Sequence, residues 1–268
     1  MWAEIPESER RYLLRGVGSA MALLGAWLVF WLSPISPAAL DRTASRAAAG
    51  DASGAVEAYL AQANSFGRSS SKGEALWRAA VIAHVTLNRP QQTVSLLERL
   101  IETYPNHPRV VEAHARMGMI HRHHHGDPIR AGMRWVAAAS VDPGHEDAGR
   151  WMLDAGLAFA DAGDVENALA ALEVAASRPQ QAVAAWLAQG RLQLRSDPAQ
   201  AYSNYDAAFR AGAQGEAGRL AHLGMATALE YLDRREAALA ELEEVVEDGE
   251  ADAALKRRRN RLRARRVQ

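Results

Sequence analysis

The sequence predicts an all-α protein in which an N-terminal transmembrane helix is followed by a solenoid of about six helical hairpins. Isoleucine and threonine occur only 6 and 5 times among 268 residues, whereas alanine is abundant, and this balance favours helix over sheet. Residues 16–32 carry no charge, and turn-forming residues recur after them at intervals of 33 to 38 residues. These observations predict the membrane helix and the repeats, respectively.

Composition and motifs exclude several classes of function. Apolar residues make up 49% of the chain and charged residues 24%, which is enough to bury a core and excludes disorder throughout. The absence of cysteine excludes disulfides, a thiolate nucleophile and cysteine-ligated zinc. No Gly-x-Ser-x-Gly, phosphate-binding glycine loop or His-Glu-x-x-His motif occurs in the sequence. We therefore predict neither catalysis nor a cofactor.

The apolar segment near the N-terminus predicts a transmembrane helix over residues 12–33, after a short segment of residues 1–11. With one further turn before its uncharged core, Gly16–Leu32, the helix is about 30 Å long, which matches the hydrocarbon thickness of a bilayer. A cleaved signal peptide, with Ser36-Pro37-Ala38 as its cleavage site, is the alternative. Aromatic side chains, which favour the membrane interface, stand at the far end of the helix: Trp27, Phe30 and Trp31.

Basic residues on the two sides of this helix predict its orientation. Arg10, Arg11 and Arg15 precede its core, whereas Arg42 and Arg46 follow it. Because cytoplasmic flanks carry the excess of positive charge, we predict a cytoplasmic N-terminus and a periplasmic repeat domain on the inner membrane. The opposite orientation, with the repeats in the cytosol, stays open.

A sequence phrase recurs through residues 37–250. A turn of Gly-Asp type is followed by alanine four residues after the aspartate and by an aromatic residue or leucine four residues further on, as in Gly163-Asp164, Ala168 and Leu172. Each turn separates two apolar helical segments, so each unit is predicted to be a helix–turn–helix. The turns begin at residues 50, 88, 126, 163, 196 and 232.

The phrase resembles the tetratricopeptide repeat, whose signature W…LG…Y…GD…A…F…A…P extends over about 34 residues. The good matches are Gly156, Gly163-Asp164, Ala168 and Asp142-Pro143, whereas the turns at Asn88 and Ser196 depart from the signature. Gly156 and Ala168 are expected where the two helices of a hairpin cross, because small residues let helices approach closely. Glu241–Asp252 is expected to be the polar outer cap of the stack.

The resemblance implies a scaffold that binds protein partners. In tetratricopeptide domains the first helices of the hairpins line a groove that holds a peptide. By the family's spacing, the groove residues here are Arg78, Ile82, Val85, Met119, Arg122, His123, Arg150, Leu153 and Leu157. Basic side chains among aliphatic ones suit an acidic, partly apolar segment. Ordinary solvent-exposed arginines on amphipathic helices are the alternative explanation.

The C-terminal segment, residues 253–268, is predicted to be a basic tail. Three functions fit it: contact with anionic lipid, binding of nucleic acid, or pairing with the acidic segment Glu241–Asp252. The tail has no aromatic residues for base stacking, and the predicted anchor places it near lipid, so lipid or an acidic partner is favoured. Its basic residues are Lys256, Arg257, Arg258, Arg259, Arg261, Arg263, Arg265 and Arg266.

A histidine run precedes one of the turns. His121 and His125 are one helical turn apart, a spacing that can chelate zinc or nickel, with Asp127 as a third candidate ligand. Alternatively, His121 occupies the ring position of the repeat and the following histidines suit the negative end of the helix dipole. We favour the second explanation and predict no metal site.

The chain is thus predicted to be a single-pass membrane scaffold that binds protein partners in an envelope assembly or secretion complex. It resembles membrane-anchored bacterial repeat proteins that assist secretion, cytochrome maturation or polysaccharide export. The alternative is a cytosol-facing receptor or recruiter whose basic tail binds anionic lipid or nucleic acid.

Overall fold

The computed structural model describes residues 40, 42–45, 49–65, 70–247 and 253–264. All regular secondary structure within these ranges is α-helical. In the described part of the chain, no helix combines the length and the apolarity needed to span a bilayer. The predicted segments 1–11 and 12–33 lie outside the described residues.

The helices that can be bounded within the described ranges form two compact units, divided after Ala113. Their bounds are α1 Ala52–Asn64, α2 Ser70–Val85, α3 Pro90–Thr103, α4 Val110–His123, α5 Pro128–Val141, α6 Ala148–Asp161, α7 Val165–Ala176, α8 Pro179–Gln193, α9 Pro198–Arg210, α10 Gly215–Tyr231, α11 Arg235–Glu247 and α12 Ala253–Ala264.

Neighbouring helices pack as antiparallel hairpins. In the first unit α2 packs against α1 and α3, and in the second unit each helix from α5 to α12 packs against the next. Helix α8 also contacts α6 and α10, so the first helices of three consecutive hairpins lie side by side. This is the nearest-neighbour stacking of a helical repeat protein, and it confirms the predicted all-α solenoid.

The recurring aspartate of the sequence phrase begins the second helix of a hairpin. Its carboxylate accepts a hydrogen bond from the backbone N–H three residues later, which is an N-cap; the caps are Asp51, Asp127, Asp164 and Asp197. In three copies the preceding glycine has a positive φ, a conformation that costs glycine little: Gly50 (94°), Gly126 (61°) and Gly163 (78°).

Two turns that lack this glycine reach the same conformation with other residues. Asn88 has φ 48°, and Arg89 after it gives no side-chain cap to α3. In the last copy Asp233 has φ 56° and therefore takes the place of the glycine of the turn, not that of the aspartate, where the sequence phrase puts it. The last repeat is thus displaced by one residue from the predicted register at its turn.

The small residues lie where the helices cross, as predicted. A Cβ added at Gly156 would lie 2.6 Å from Cγ of Leu172 and 3.2 Å from the carbonyl oxygen of Ala168. Gly190 and Gly224 lie on either side of the Tyr205 ring, where an added Cβ would come within 2.9 Å and 2.4 Å of ring carbons. Gly156, Gly190 and Gly224 follow one another at steps of 34 residues. Gly190 therefore fixes the register of the repeat copy that turns at Ser196, where the sequence departs from the signature.

The C-terminal basic segment is a packed helix over residues 253–264. Leu262 of α12 is 9% exposed and joins a cluster with Leu229 of α10 and Leu239 and Leu242 of α11. The predicted outer cap, Glu241–Asp252, instead begins within α11, a hairpin helix with a buried apolar face. Helix α12 therefore covers the last hairpin, because Leu239 and Leu242 need an apolar neighbour.

Candidate partner-binding groove

An open groove of about 490 Å³ lies across α6, α8 and α10. Leu157 borders it on α6, Leu187 on α8, and Leu220, which is 46% exposed, on α10. Its lining is predominantly apolar: Leu157, Ala184, Leu187, Ala188, Arg191, Leu194, Tyr205, Leu220, Leu223, Gly224 and Thr227. The half-buried Leu157 and Leu187 and the exposed Leu220, from the first helices of three consecutive hairpins, form a surface that suits an apolar segment of a partner.

Small side chains on facing helices leave the space for this groove. Ala184 and Ala188 on α8 and Gly224 on α10 have little or no side chain, so the neighbouring leucines stand apart from one another. Tyr205 lies on α9, the second helix of its hairpin. It reaches the groove because Gly190 and Gly224 leave room for its ring. The repeat's crossing glycines thus also shape the groove.

One positive and one negative side chain stand at or near the groove. Arg191 lines it and has no carboxylate partner among the described residues. Asp154 lies one turn before Leu157 on α6, and its side chain makes no hydrogen bond to another described residue. Burial raises the pKa of the Asp154 carboxyl above its ordinary value, a rise that the nearby Arg150 and His123 oppose. Both charges are therefore available to a bound segment.

The structure places the predicted groove residues of the first unit near the C-terminal half of α2. Arg78 donates a 2.8 Å hydrogen bond to Glu74, and Arg109 lies 3.7 Å from the same carboxylate. Val85 is 70% exposed at the end of the helix, whereas Ile82 is half-buried. Arg78 is therefore already neutralised within its own unit.

The predicted arginines of the second unit are also paired. Arg122 forms an ion pair with Asp161, and Arg150 lies 3.6 Å from Asp147. Leu157 is the one member of the predicted set that lines the groove described above. The remaining predicted residues here range from half-buried to exposed: Met119, His123 and Leu153. A groove lined by the full predicted set stays a prediction.

Sequence reasoning missed the groove residues on α8 and α10, although a signal for two of them was present. Adding the 34-residue step between Gly156 and Gly190 to Leu153 and Leu157 gives Leu187 and Arg191, and both line the groove. The first helix of the copy that turns at Ser196 can be aligned with the repeat in two registers from the sequence alone. The 34-residue relation was therefore not recognised. Leu220 has no such signal, because the same step from Leu187 leads to the buried Ala221.

The histidine run brings two rings together at the end of α4. Nδ1 of His121 lies 3.3 Å from Nδ1 of His125, and burial lowers the pKa of His121 below its ordinary value, helped by the charge of His125. Asp127 caps α5. Across the described ranges, no group of three or more His, Asp or Glu side chains is arranged to hold a metal ion.

The basic residues of α12 divide into an inner and an outer set. Arg258 pairs with Glu230 at 2.6 Å and donates a 2.9 Å hydrogen bond to Thr227, which lines the groove, while Arg263 pairs with Glu243. Helix α12 therefore meets the groove at its α10 side. The outer set is exposed and comprises Lys256, Arg257 and Arg261, whereas Arg259 is half-buried. Arg265 and Arg266 lie outside the described residues.

Helical hairpins with an N-capping aspartate and crossing glycines, stacked on their neighbours, define a helical repeat protein. Residues 74–107, which span most of α2 and α3, match the family model of the tetratricopeptide repeat. This segment therefore resembles a tetratricopeptide repeat, in agreement with the resemblance that the sequence predicts. No curated protein sequence matches it.

Three solved structures are similar to this chain at low sequence identity, and the first of them shares its fold. A tetratricopeptide repeat protein from Parabacteroides merdae ATCC 43184 superposes with a TM-score of 0.53 at 16% identity, over 71% of this chain and 72% of that one. PilW, a widely conserved type IV pilus biogenesis factor, gives a TM-score of 0.47 at 14% identity, over 84% and 98% of the two chains. The APC/C hetero-tetramer Cut9-Hcn1 gives 0.39 at 14% identity, over 83% and 42%.

Proposed function

We propose that the protein is a membrane-anchored, non-catalytic scaffold that binds a segment of an envelope protein in the groove across α6, α8 and α10. The observation that carries this proposal is the apolar groove itself, which is lined by leucines from three consecutive hairpins and by Arg191, a residue with no carboxylate partner among the described residues. The anchoring and the periplasmic location rest on the sequence of residues 12–33.

The groove favours a segment with apolar side chains and at least one carboxylate. Burying one leucine side chain contributes about 1.5–3 kcal/mol, whereas an exposed ion pair contributes about 0.2–1 kcal/mol. The leucines therefore supply most of the affinity, and Arg191 orients the segment by pairing with its carboxylate. Asp154 accepts a hydrogen bond from an N–H group of the bound segment, which satisfies a carboxylate that is otherwise partly desolvated.

Affinity capture of the full-length protein from detergent-solubilised membranes tests the groove. Leu220→Asp and Arg191→Glu should each reduce recovery of the partners that the wild-type protein retains, and the thermal melt should stay within a few degrees. Val165→Asp is the matched control, because Val165 is a similarly exposed apolar residue, on α7, outside the groove. Recovery of the same partners by Leu220→Asp at wild-type yield would refute groove binding.

The outer basic face of α12 favours a second candidate function. In a cytosol-facing protein, Lys256, Arg257 and Arg261 would bind anionic lipid or nucleic acid while the groove recruits a partner. Protease treatment of sealed spheroplasts separates the two orientations. Cleavage of a C-terminal epitope from outside supports the periplasmic scaffold, and its protection supports the cytosol-facing receptor.

A further inference from the structure

A second apolar groove lies on the second helices α5 and α7, separate from the partner-binding groove. Its volume is about 600 Å³, and it is lined by Ile129 and Met133 of α5 and by Ala170 and Val174 of α7, among others. Ile129, Met133 and Val174 are 47%, 60% and 47% exposed, respectively. Such a contiguous exposed apolar surface is unusual on a monomer and marks an interaction site.

The two borders of this groove carry opposite charge. On α5, Arg130 follows Ile129 and is 70% exposed, although it also lies 3.3 Å from the capping Asp127. On α7, Glu166 and Glu173 are exposed and have no ion-pair partner among the described residues. They lie four residues before and three residues after Ala170, which lines the groove, and therefore stand on the same face of the helix. Asp164, at the start of α7, adds further negative charge to that border.

We propose that this groove is the interface between two copies of the chain. A two-fold axis along the groove places α5 of one copy over α7 of the other, because such an axis exchanges the two borders. Arg130, near the start of α5, then faces Glu166 near the start of the partner's α7, and the apolar side chains of the two grooves are buried together. A surface that is basic on one border and acidic on the other is complementary to itself only in this arrangement, because any other two-fold pairing of the grooves places like charges together. The partner-binding groove on α6, α8 and α10 stays free.

Sedimentation equilibrium of the full-length protein in density-matched detergent, supported by native mass spectrometry, tests the interface. The wild-type protein should show a concentration-dependent monomer–dimer equilibrium. Met133→Glu should weaken dimerisation roughly tenfold or more, since it places a charge in the apolar centre of the interface. Val141→Glu is the matched control: Val141 is on the same helix and 49% exposed but does not line the groove, so the dimer should persist.

A charge exchange tests the pairing of the borders. Arg130→Glu and Glu166→Arg should each weaken the dimer, and the double variant Arg130→Glu/Glu166→Arg should recover it, with all three variants melting close to the wild type. The proposal is overturned if the wild-type protein stays monomeric. This outcome includes a monomer whose groove is covered by another protein or by another part of the same chain. A dimer that survives Met133→Glu overturns it as well, because its interface then lies elsewhere.

Discussion

Leu172 of α7 packs directly on Gly156 of α6, so that a Cβ at position 156 would lie 2.6 Å from its Cγ. The carbonyl oxygen of Ala168, 3.2 Å from the same point, is backbone and has little room to move. Gly156→Leu should therefore destabilise the protein by about 1–3 kcal/mol, near the upper end of that range. Urea unfolding followed by circular dichroism measures the change.

Gly144→Ala is the control for this experiment. A Cβ at position 144 would meet only the Asp142 carboxylate oxygen, at an ordinary distance of 3.4 Å, and the residue lies in an exposed turn. Its free energy of unfolding should change by less than about 0.5 kcal/mol. If Gly156→Leu unfolds at the same urea concentration as Gly144→Ala, the register of the α6–α7 hairpin is wrong.

The left-handed residue at the α2–α3 turn gives a second prediction. Asn88 has φ 48°, a conformation that costs a residue with a side chain about 1–2 kcal/mol and that asparagine tolerates better than β-branched residues. Asn88→Val should lower the free energy of unfolding by at least about that amount, whereas Asn88→Gly should leave it nearly unchanged or slightly higher. Equal unfolding midpoints for the two variants would contradict the turn conformation.

The partly buried carboxylate beside the partner-binding groove predicts a pH-dependent effect. Because the pKa of Asp154 is raised in the folded protein, folding disfavours its charged form, and the residue lowers stability at neutral pH. Asp154→Asn should therefore unfold at higher urea concentration than the wild type at about pH 7, and the difference should shrink as the pH falls toward the ordinary carboxyl range. Unfolding curves at several pH values measure it, and a pH-independent difference would count against this explanation.

The buried histidine of α4 predicts a dependence of the opposite sign. The pKa of His121 is below 6.5 in the folded state, so the unfolded chain binds more protons between the two pKa values, and stability falls as the pH drops below about 6.5. Besides burial, the charges of His125, Arg134 and Arg130 disfavour the protonated form, and Asp127 opposes them weakly. His121→Leu should flatten this part of the stability profile, whereas the exposed His124→Leu should not.

The apolar contact of the C-terminal helix predicts the effect of removing it. Leu262→Asp should destabilise α10 and α11 by more than the about 1.5–3 kcal/mol of a buried leucine, because it also places a charge against apolar side chains. Hydrogen exchange should become faster in α10 and α11 before it changes in α5 and α6. Asn260→Asp, an exposed change on the same helix, is the control and should leave exchange unaltered.

Local patterns predicted the repeats well, because a turn, its cap and its crossing glycine are each specified within a few residues. Gly163-Asp164 forms the turn before α7, and Gly156 lies beside Ala168 where the two helices cross, as the sequence predicts. The register of the copy that turns at Ser196 could not be predicted in the same way. Nor could the role of Asp233, since an aspartate can either cap a helix or adopt a positive φ. The outcome depends on the packing of the whole hairpin.

The partner-binding groove was less predictable, because a groove depends on which side chains stay uncovered after packing. Leu157 was identified from the family's spacing, whereas the exposure of Leu220 follows from how α10 packs beside α8 and has no local signal in the sequence. The sequence of the basic C-terminal segment likewise suggests a solvated tail, because Leu262, the residue that is buried in the structure, is surrounded by arginines in the sequence. Its partners, Glu230 and Glu243, lie 28 and 20 residues earlier in the chain than the arginines they bind.

Helix α12 also limits how copies of this chain associate. A stack of hairpins with a bare apolar end would accept the first hairpin of another copy, and repeated head-to-tail addition would produce an open fibre. Leu262 occupies the apolar surface of the last hairpin, and its arginine neighbours surround it with hydrated charge. Head-to-tail addition through this apolar surface is therefore blocked, so the chain does not extend into a fibre by stacking hairpin on hairpin at this end.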